Sequence, residues 1–241
     1  MVQRLYMLVT LLCLSLTGYS QAVNTLSTRE KSEGWQLLFN GKDLAGWHMY
    51  GSKQPGTAWK VESGAIKLDV PERAGNKAKD GGDIVTDLLV KGDFEMKVEW
   101  KISKYGNSGI FFFVNEEPQY TKMHNTGLEL QVIDDNIYQG AKENTHRASD
   151  FFGIANARIR ESNPVGTWNQ VHITVKNNKL TVLHNGFMVQ EHNLLGEDWK
   201  KKIAESGLKN TPLAKGVLKG RIGLQDWGST VWYRNIKIRM L

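Results

Sequence analysis

Short segments in which apolar and polar residues alternate recur along most of this chain, and they constrain its fold more than any other feature. The clearest is FEMKVEWKI at residues 94–102, where five apolar residues share one face and Glu and Lys share the other. A two-residue period of this kind is typical of a strand that is buried on one side. Further segments with alternating or wholly apolar patterns are also predicted as strands: 59–62, 65–68, 84–89, 109–114, 124–135, 168–175, 180–184, 187–191, 220–225 and 231–240.

Turn residues separate these segments, and Asn185-Gly186 is a strong signal for a type I′ hairpin turn. Residues 194–209 have apolar positions at helical spacing and are predicted as one short helix. Because strands otherwise follow one another without βαβ alternation, the sequence predicts an all-β fold, an antiparallel two-sheet jelly-roll sandwich in a single domain over residues 34–241. Polar residues 21–33 are predicted as a flexible lead-in, and residues 136–165 as a long loop.

The first twenty residues have the pattern of a secretory leader. Arg4 precedes an apolar run that is too short for a convincing membrane span, and small residues follow it. Cleavage is expected near Ser20, before Gln21, and the protein is expected to be secreted or periplasmic. The leader contains Cys13, the single cysteine, so no disulfide is expected in the exported protein.

The formal charge of +6 is mild and is spread along the chain. Lysines and acids are interspersed, without the basic run and interleaved aromatic residues that nucleic-acid-binding proteins use. We therefore expect no nucleic-acid partner and no membrane insertion, while the oligomeric state stays open. The chain has eight Trp, seven Tyr and eight Phe, and a surplus of aromatic residues is common where sugars stack on exposed rings.

The stretch HNTGLELQVIDD at residues 124–135 places two polar residues on one face of a predicted strand. Glu129 and Gln131 alternate with Leu128, Leu130 and Val132, although Glu and Gln are poor strand formers. A carboxylate and an amide that project side by side from a rigid sheet can form the floor of a ligand site. The alternative is an ordinary solvated sheet face, and the alternation by itself does not decide between them.

Six segments together resemble one known family. In chain order they are LLFNGKDLAGW, GDFEMKVEW, GNSGIFF, GLELQVIDD, GTWNQVHITVKNNKLTVLHNG and GRIGLQDWGSTVWYRNIKI. They resemble the 3-keto-disaccharide hydrolase family, whose members are concanavalin A-like sandwiches, mostly exported by bacteria and related in shape to laminarinase-like glycosidases and lectins. The resemblance implies a carbohydrate substrate, an oxidised glycoside.

A substrate of this kind reduces the number of catalytic groups that the protein must supply. A ketone at C3 of the sugar makes the hydrogen on C2 acidic, so that a base can remove it and the group at C1 can leave by elimination. Addition of water to the resulting enone completes a net hydrolysis. The site then needs a base near C2, an electrophile at the C3 oxygen and a proton source for the departing oxygen.

The resemblance implies a set of site residues in this chain. Glu129 or His146 is expected as the base, Arg147 as the group that holds the oxyanion, and Asp226 beside Glu129. The expected substrate-binding residues are Asn107, Gln131, Asp134, Tyr138, Asp150, Gln225 and Trp227. Glu129 and Gln131 would form the floor of a cleft, with the segment near His146 as its roof. For two residues an alternative stays open: Asn107 in a turn role alone, and His146 as a solvated loop residue.

This chain departs from the family pattern at two places. LQDWG has Trp227 where the family commonly has His, and Phe111 to Phe113 stand where an Arg is common. Loss of a His removes an imidazole for metal binding or proton transfer, whereas a Trp provides a stacking face for a sugar ring. The cofactor is therefore left unknown, with a divalent metal as one option.

A retaining glycosidase and a lectin-like module are the two alternatives to this function. Glu129-x-Gln131-x-x-Asp134 has the outline of a laminarinase-type motif for retaining glycosidases, whose carboxyl groups lie about 5–5.5 Å apart. Five residues of strand span roughly 16 Å, which disfavours that chemistry. The second alternative is a lectin-like carbohydrate-binding module without catalysis, in which Trp227, Tyr138 and Trp47 form stacking platforms.

Overall fold

The structure is a computed structural model that describes residues 22–53, 56–138, 146–158 and 161–241. The predicted leader, residues 1–20 with Cys13, lies outside the described residues. Across the described ranges, every helix is too short or too polar to span a membrane.

The described part of the chain is mostly β-strand. The helices are α1 (Thr28–Ser32) and α2 (Glu197–Ala204), with 3₁₀ turns at Met123–Asn125, Asp135–Tyr138 and Pro212–Lys215. The strands are β1 (Gln36–Leu37), β2 (Trp47–Met49), β3 (Trp59–Glu62), β4 (Ala65–Leu68), β5 (Arg73–Ala74), β6 (Lys77–Ala78), β7 (Ile84–Thr86), β8 (Val90–Lys91), β9 (Phe94–Ile102), β10 (Asn107–Val114), β11 (Leu128–Ile133), β12 (Asn169–Lys176), β13 (Lys179–His184), β14 (Phe187–Asn193), β15 (Lys219–Leu224) and β16 (Val231–Met240).

Two antiparallel sheets pack face to face, as the alternating segments predicted. One sheet has the order β14-β13-β12-β9-β16-β4-β3, with β1 paired to β16. The other has the order β11-β10-β15-β7-β2, with β8 paired to β15. The predicted inner face of β9, Phe94 to Ile102, is buried against the inner face of β11, where Leu128, Leu130 and Val132 are fully buried. Each such side chain contributes about 1.5–3 kcal/mol on burial, so the core stabilises this pairing of sheets.

The helical content differs from the prediction at two places. Helix α1 forms in the segment predicted as a flexible lead-in, because Ser27 and Glu30 make a reciprocal capping box and Glu30 pairs with Lys237 of β16. Helix α1 is thus an addition to the one short helix that was predicted. Helix α2 lies inside the predicted range 194–209 but is shorter, since Gly196 is its N-cap and Glu205 its C-cap.

A bulge lies where β10 pairs with β15. The register shifts between Phe111 and Val114, and Phe113 adopts a positive φ of 60°. Gly220 faces this bulge so closely that a Cβ there would lie 2.1 Å from the carbonyl carbon of Phe113. Since the obstruction is backbone rather than the end of a side chain, the bulge requires glycine at this position.

We expect Gly220→Ala to lower the free energy of unfolding by ~3 kcal/mol, the upper part of the range for overpacked sites. A change of this size would lower Tm by about 6–12 °C in a protein of this length, as measured by thermal unfolding. Gly207→Ala is the matched control, because nothing lies within 4 Å of a Cβ at Gly207. Equal stability of the two variants would contradict the steric argument.

Candidate active site

The outer face of the β11-β10-β15-β7-β2 sheet carries the polar residues predicted from the sequence. Because Leu128, Leu130 and Val132 point into the core, Glu129 and Gln131 point outward. The register places Glu129 opposite Phe111 and Gln131 opposite Gly109 in β10. Strand β15 pairs with the other edge of β10, and just after the end of β15 the Gln225 N–H donates to the Gly109 carbonyl at 3.0 Å. Glu129, Gln131 and Gln225 therefore come together on one surface.

Glu129 lies over Gly109 and is almost completely buried, with 6% of its surface exposed. A Cβ on Gly109 would come within 2.5 Å of Glu129 Oε1, so glycine provides the space for this carboxyl group. Burial, together with the nearby charge of Asp83, raises the pKa of Glu129 to about 8, although a hydrogen bond from Gln225 acts in the opposite direction. Glu129 is thus a protonated acid at neutral pH, whereas a base was one of its predicted roles.

Asp83 is the second carboxyl group of the site, and it was not predicted. It directly precedes β7, and its Oδ1 accepts a hydrogen bond from the Asp226 N–H at 3.0 Å. Burial raises the pKa of Asp83 to about 6, and the neighbouring Asp226 carboxylate adds to the rise, whereas Lys77 and the hydrogen bond from Asp226 lower it. Asp83 is therefore ionised at neutral pH while Glu129 is not.

The Asp226 carboxylate is hydrogen-bonded to main-chain N–H groups. Its carboxylate accepts hydrogen bonds from the Ala78 N–H at 3.0 and 3.1 Å and from the Gly228 N–H at 2.9 Å. Gly81 lies so close that a Cβ there would be 2.1 Å from Asp226 Oδ2. These contacts attach the β5–β6 hairpin to the end of β15, which gives Asp226 a positioning role instead of the predicted catalytic one.

Asp83 and Asp226 line a cleft of about 550 Å³, and Glu129 lies behind its wall, in hydrogen-bond contact with Gln225. The side chains that give it chemical character are Asp83, Lys77, His124, Gln225, Asp226 and Trp227. Trp227, 39% exposed, offers the flat apolar surface that was predicted for it. Burial lowers the pKa of His124, and the charges of Lys122 and Lys77 lower it further, so His124 is neutral at pH 7.

Gln131, which is buried, and Asn107, which is half-buried, form an amide pair beside Glu129. The Gln131 Nε2–H donates to Asn107 Oδ1 at 2.6 Å, and Gln131 is 2% exposed. Within the described residues, no group donates to Gln131 Oε1. Asn107 thus does more than form a turn, because it fixes the orientation of the amide next to Glu129.

The segment with His146, Arg147 and Asp150 extends the sheet beside β11. The Gln131 N–H donates to the Asp150 carbonyl at 2.9 Å, and the Phe152 N–H donates to the Glu129 carbonyl at 3.1 Å. The His146 ring packs edge-on against exposed Phe152 at 4.7 Å between centroids. This segment is therefore next to Glu129 as predicted, but it flanks the strand instead of covering the cleft.

Arg147 and Asp150 are turned toward each other and toward a separate cavity of about 180 Å³. Asp150 Oδ2 accepts from the Arg147 N–H at 2.8 Å and lies 4.0 Å from Arg147 Nε, and Asp150 Oδ1 accepts from the Ala157 N–H at 2.6 Å. The structure thus does not bring the predicted oxyanion-binding arginine to the cleft that contains Asp83.

Asp134 and Tyr138 come after the end of β11. Asp134 accepts hydrogen bonds from the Tyr105 N–H at 2.7 Å and from the Asn136 N–H and side-chain amide at 3.1 and 2.7 Å. Its carboxylate is occupied in shaping this turn, which argues further against the retaining glycosidase hypothesis. Tyr138 ends the 3₁₀ turn Asp135–Tyr138, and its side chain lies outside the described part of the structure.

Residues 34–239 match the profile of a family described as the 3-keto-alpha-glucoside-1,2-lyase-like domain. The chain belongs to this family. A 3-keto-disaccharide hydrolase from Bacteroides thetaiotaomicron is 31% identical over 242 residues, which cover 91% of this chain and 82% of that protein. The predicted family is confirmed, and with it a carbohydrate-active enzyme of the hydrolase or lyase class.

Solved structures agree with this assignment. A candidate glycosyl hydrolase from Parabacteroides distasonis has a TM-score of 0.79 at 30% identity, covering 91% of this chain and 100% of that one. A Bacillus subtilis protein with a galectin-like fold has a TM-score of 0.50 at 14% identity, covering 91% and 95%, and it shares the fold alone. The lyase-like family thus has the predicted lectin-related sandwich.

The candidate site contains three residues that were not predicted from the sequence: Asp83, Lys77 and His124. Asp83 directly precedes the strand predicted over residues 84–89, and a charged residue at the entry of the buried run IVT was a usable signal. Among the residues that the structure describes, no three His, Cys, Asp or Glu side chains are close enough to hold a metal ion. The divalent metal therefore stays a prediction.

Proposed function

We propose that this protein is an exported enzyme that cleaves 3-keto-glycosides, by elimination across C1 and C2 followed by hydration. The observation that carries the proposal is the pair of neighbouring carboxyl groups with different protonation states, Asp83 with a pKa of about 6 and Glu129 with a pKa of about 8. A general base and a general acid that are both ready at neutral pH are what this reaction needs. The leader pattern in residues 1–20 supports export.

In the elimination step the ionised Asp83 removes the proton from C2 of the keto-sugar. The electron pair moves toward the C3 oxygen, and the ammonium group of Lys77, in the same cleft, stabilises the negative charge that develops there. The bond between C1 and the bridging oxygen then breaks, and the proton of Glu129 passes to the departing oxygen. The products of this step are the free alcohol and an enone with a C1–C2 double bond.

In the hydration step the roles reverse. The ionised Glu129 takes a proton from water as the oxygen adds to C1, and the protonated Asp83 returns its proton to C2. Both carboxyl groups recover their starting states, and the net change is hydrolysis. Trp227 provides an apolar surface for the sugar ring in the cleft, and Gln225 holds Glu129 in place by its hydrogen bond.

We expect kcat/KM for a 3-keto-disaccharide to follow a bell-shaped pH profile with a maximum near neutral pH. Activity should rise as pH passes about 6, where Asp83 ionises, and fall as pH passes about 8, where Glu129 loses its proton. The measurement is the release of the free sugar from a chemically oxidised 3-keto-disaccharide at each pH. A purified protein without this activity would refute the proposal. Repeating the measurement with added divalent metal and with a chelator tests whether the activity depends on a metal.

A lectin-like module is the second candidate, because exposed Trp227 borders the cleft. A module of this kind would bind the keto-sugar without changing it, whereas the enzyme would release a reducing sugar. Binding isotherms followed by product analysis of the same samples distinguish the two.

A further inference from the structure

A second groove adjoins the catalytic cleft on the same outer face. Its volume is about 830 Å³, within the range of small-molecule sites, and Tyr50 and Thr121 line both the groove and the cleft. The Tyr50 N–H donates to the carbonyl of Asp83 at 2.8 Å. The groove is therefore joined to the cleft through Tyr50, a residue that is hydrogen-bonded to the proposed base.

The polar side chains of this groove are held in one arrangement by one another. His48 Nδ1 lies 2.6 Å from Asp87 Oδ1, and His48 Nε2 lies 2.9 Å from Glu116 Oε2. Glu116 Oε2 also lies 3.0 Å from Arg221 Nε, and Glu116 Oε1 accepts from the Gly51 N–H at 2.8 Å. A guanidinium group and a carboxylate that are fixed side by side suit the paired hydroxyls of a sugar, with little ordering needed on binding.

Aromatic residues form the wall nearest to the catalytic cleft. The Tyr50 hydroxyl donates to the carbonyls of Asn115 and Tyr120 at 2.7 and 3.0 Å, which fixes the loop that follows β10. Tyr120 itself lines the groove and is half-buried. An aromatic ring next to fixed hydrogen-bonding groups is the combination with which proteins bind sugars.

The charges of the groove indicate a neutral occupant. Two cationic side chains, Lys53 and Arg221, and three acidic side chains, Asp87, Glu116 and Glu117, line it. A site for a uronic acid or a phosphate would need an excess of positive charge, since a buried anion without a partner is costly. The groove has no such excess, and its polar groups fit the hydroxyl groups of an uncharged hexose.

We propose that this groove is the subsite for the leaving sugar, and that it selects disaccharides whose second unit is a neutral hexose. The inference rests on the proposed function, because it takes the cleft at Asp83 as the position of the keto-sugar. Substrates with a sugar as the leaving group then gain binding energy that substrates with a small leaving group do not.

The test compares two substrates, a 3-keto-disaccharide with glucose as the leaving sugar and methyl 3-keto-glucoside. In Tyr120→Ala and Arg221→Lys, the ratio of kcat/KM for the first substrate to that for the second should fall about tenfold, the size expected for the loss of one good contact. Arg234→Lys is the matched control for Arg221→Lys, because each arginine pairs with its own glutamate and the two are equally exposed. The distance is 2.7 Å for Arg234, which is 25% exposed, and 3.0 Å for Arg221, which is 26% exposed. Tyr105→Ala is the control for Tyr120.

A ratio that is unchanged in both groove variants would overturn the subsite while leaving the proposed function intact. Titration with free glucose gives a second readout that does not depend on turnover. Weaker glucose binding in Tyr120→Ala than in wild type and Tyr105→Ala supports the subsite even for a protein that cleaves neither substrate, in which case the proposed function alone fails. Equal or undetectable glucose binding in all of these proteins, together with an absence of cleavage, would overturn both.

Discussion

Replacement of Asp83 by Asn is expected to lower kcat for a 3-keto-disaccharide by about 10²–10⁴, the usual contribution of a positioned general base. Asn retains an oxygen that can accept the hydrogen bond from the Asp226 N–H, so the backbone at the end of β15 should keep its position. The loss should therefore appear in kcat, with thermal stability close to that of wild type. Steady-state kinetics and thermal unfolding of the same sample measure the two quantities.

A matched control for this variant is Asp69→Asn. Asp69 pairs with Lys60 at 2.7 Å at the edge of the other sheet and is partly exposed, so its replacement removes a carboxylate without touching the cleft. We expect kcat of this control within about twofold of wild type, since exposed ion pairs contribute little. Full activity in Asp83→Asn would exclude Asp83 as the base and would make His124, in the same cleft, the alternative base.

The second large effect is expected in Glu129→Gln. Gln has the shape of a protonated Glu but has no acidic proton to give, so we expect kcat to fall about 10²-fold or more. The same variant should be more stable than wild type at alkaline pH. The pKa of Glu129 is raised by folding from 4.5 to about 8, so its protonated form stabilises the fold fully below pH 4.5, and that stabilisation is lost as pH rises through 8.

The thermal unfolding of wild type and Glu129→Gln should therefore coincide near pH 5 and separate near pH 8, with the variant more stable by ~2 kcal/mol or more. A carboxyl group that is kept for catalysis at the expense of stability gives this combination of lower activity and higher Tm. Glu99→Gln, in the other sheet, should show no such gain, because this substitution removes the ion pair of Glu99 with Arg234. Identical pH dependence in wild type and Glu129→Gln would mean that Glu129 is ionised in the folded protein at neutral pH.

The strands were predictable because burial on one face imposes a two-residue period on the sequence. Strand β9 obeys it over nine residues, and β16 obeys it on each side of a bulge between Arg234 and Lys237; both strands were located to within a residue. Helix α1 was missed because five residues carry no helical period, and its stability comes from a capping box and from ion pairs with distant β16. Such long-range contacts leave no mark on the local sequence.

The site was predictable only in part, for a related reason. Glu129, Gln225 and Asp226 lie in segments that resemble the family, and the pairing of β11, β10 and β15 brings them together. Asp83 reaches Glu129 only because β7 adds to the far side of β15, an order of strands that cannot be deduced from the alternation within each strand. Arg147 was misplaced because backbone pairing with β11 fixes its segment beside the strand.

The attachment of the β5–β6 hairpin by Asp226 has a consequence for how this enzyme can change. Asp226 holds the hairpin through main-chain N–H groups, which every residue except proline possesses. The side chains that the hairpin presents to the cleft, those of Ala74, Asn76 and Lys77, take no part in that attachment. Libraries randomised at Ala74 and Asn76 should therefore retain the fold while altering which oxidised sugars are accepted, so the hairpin is a natural starting point for engineering new specificities.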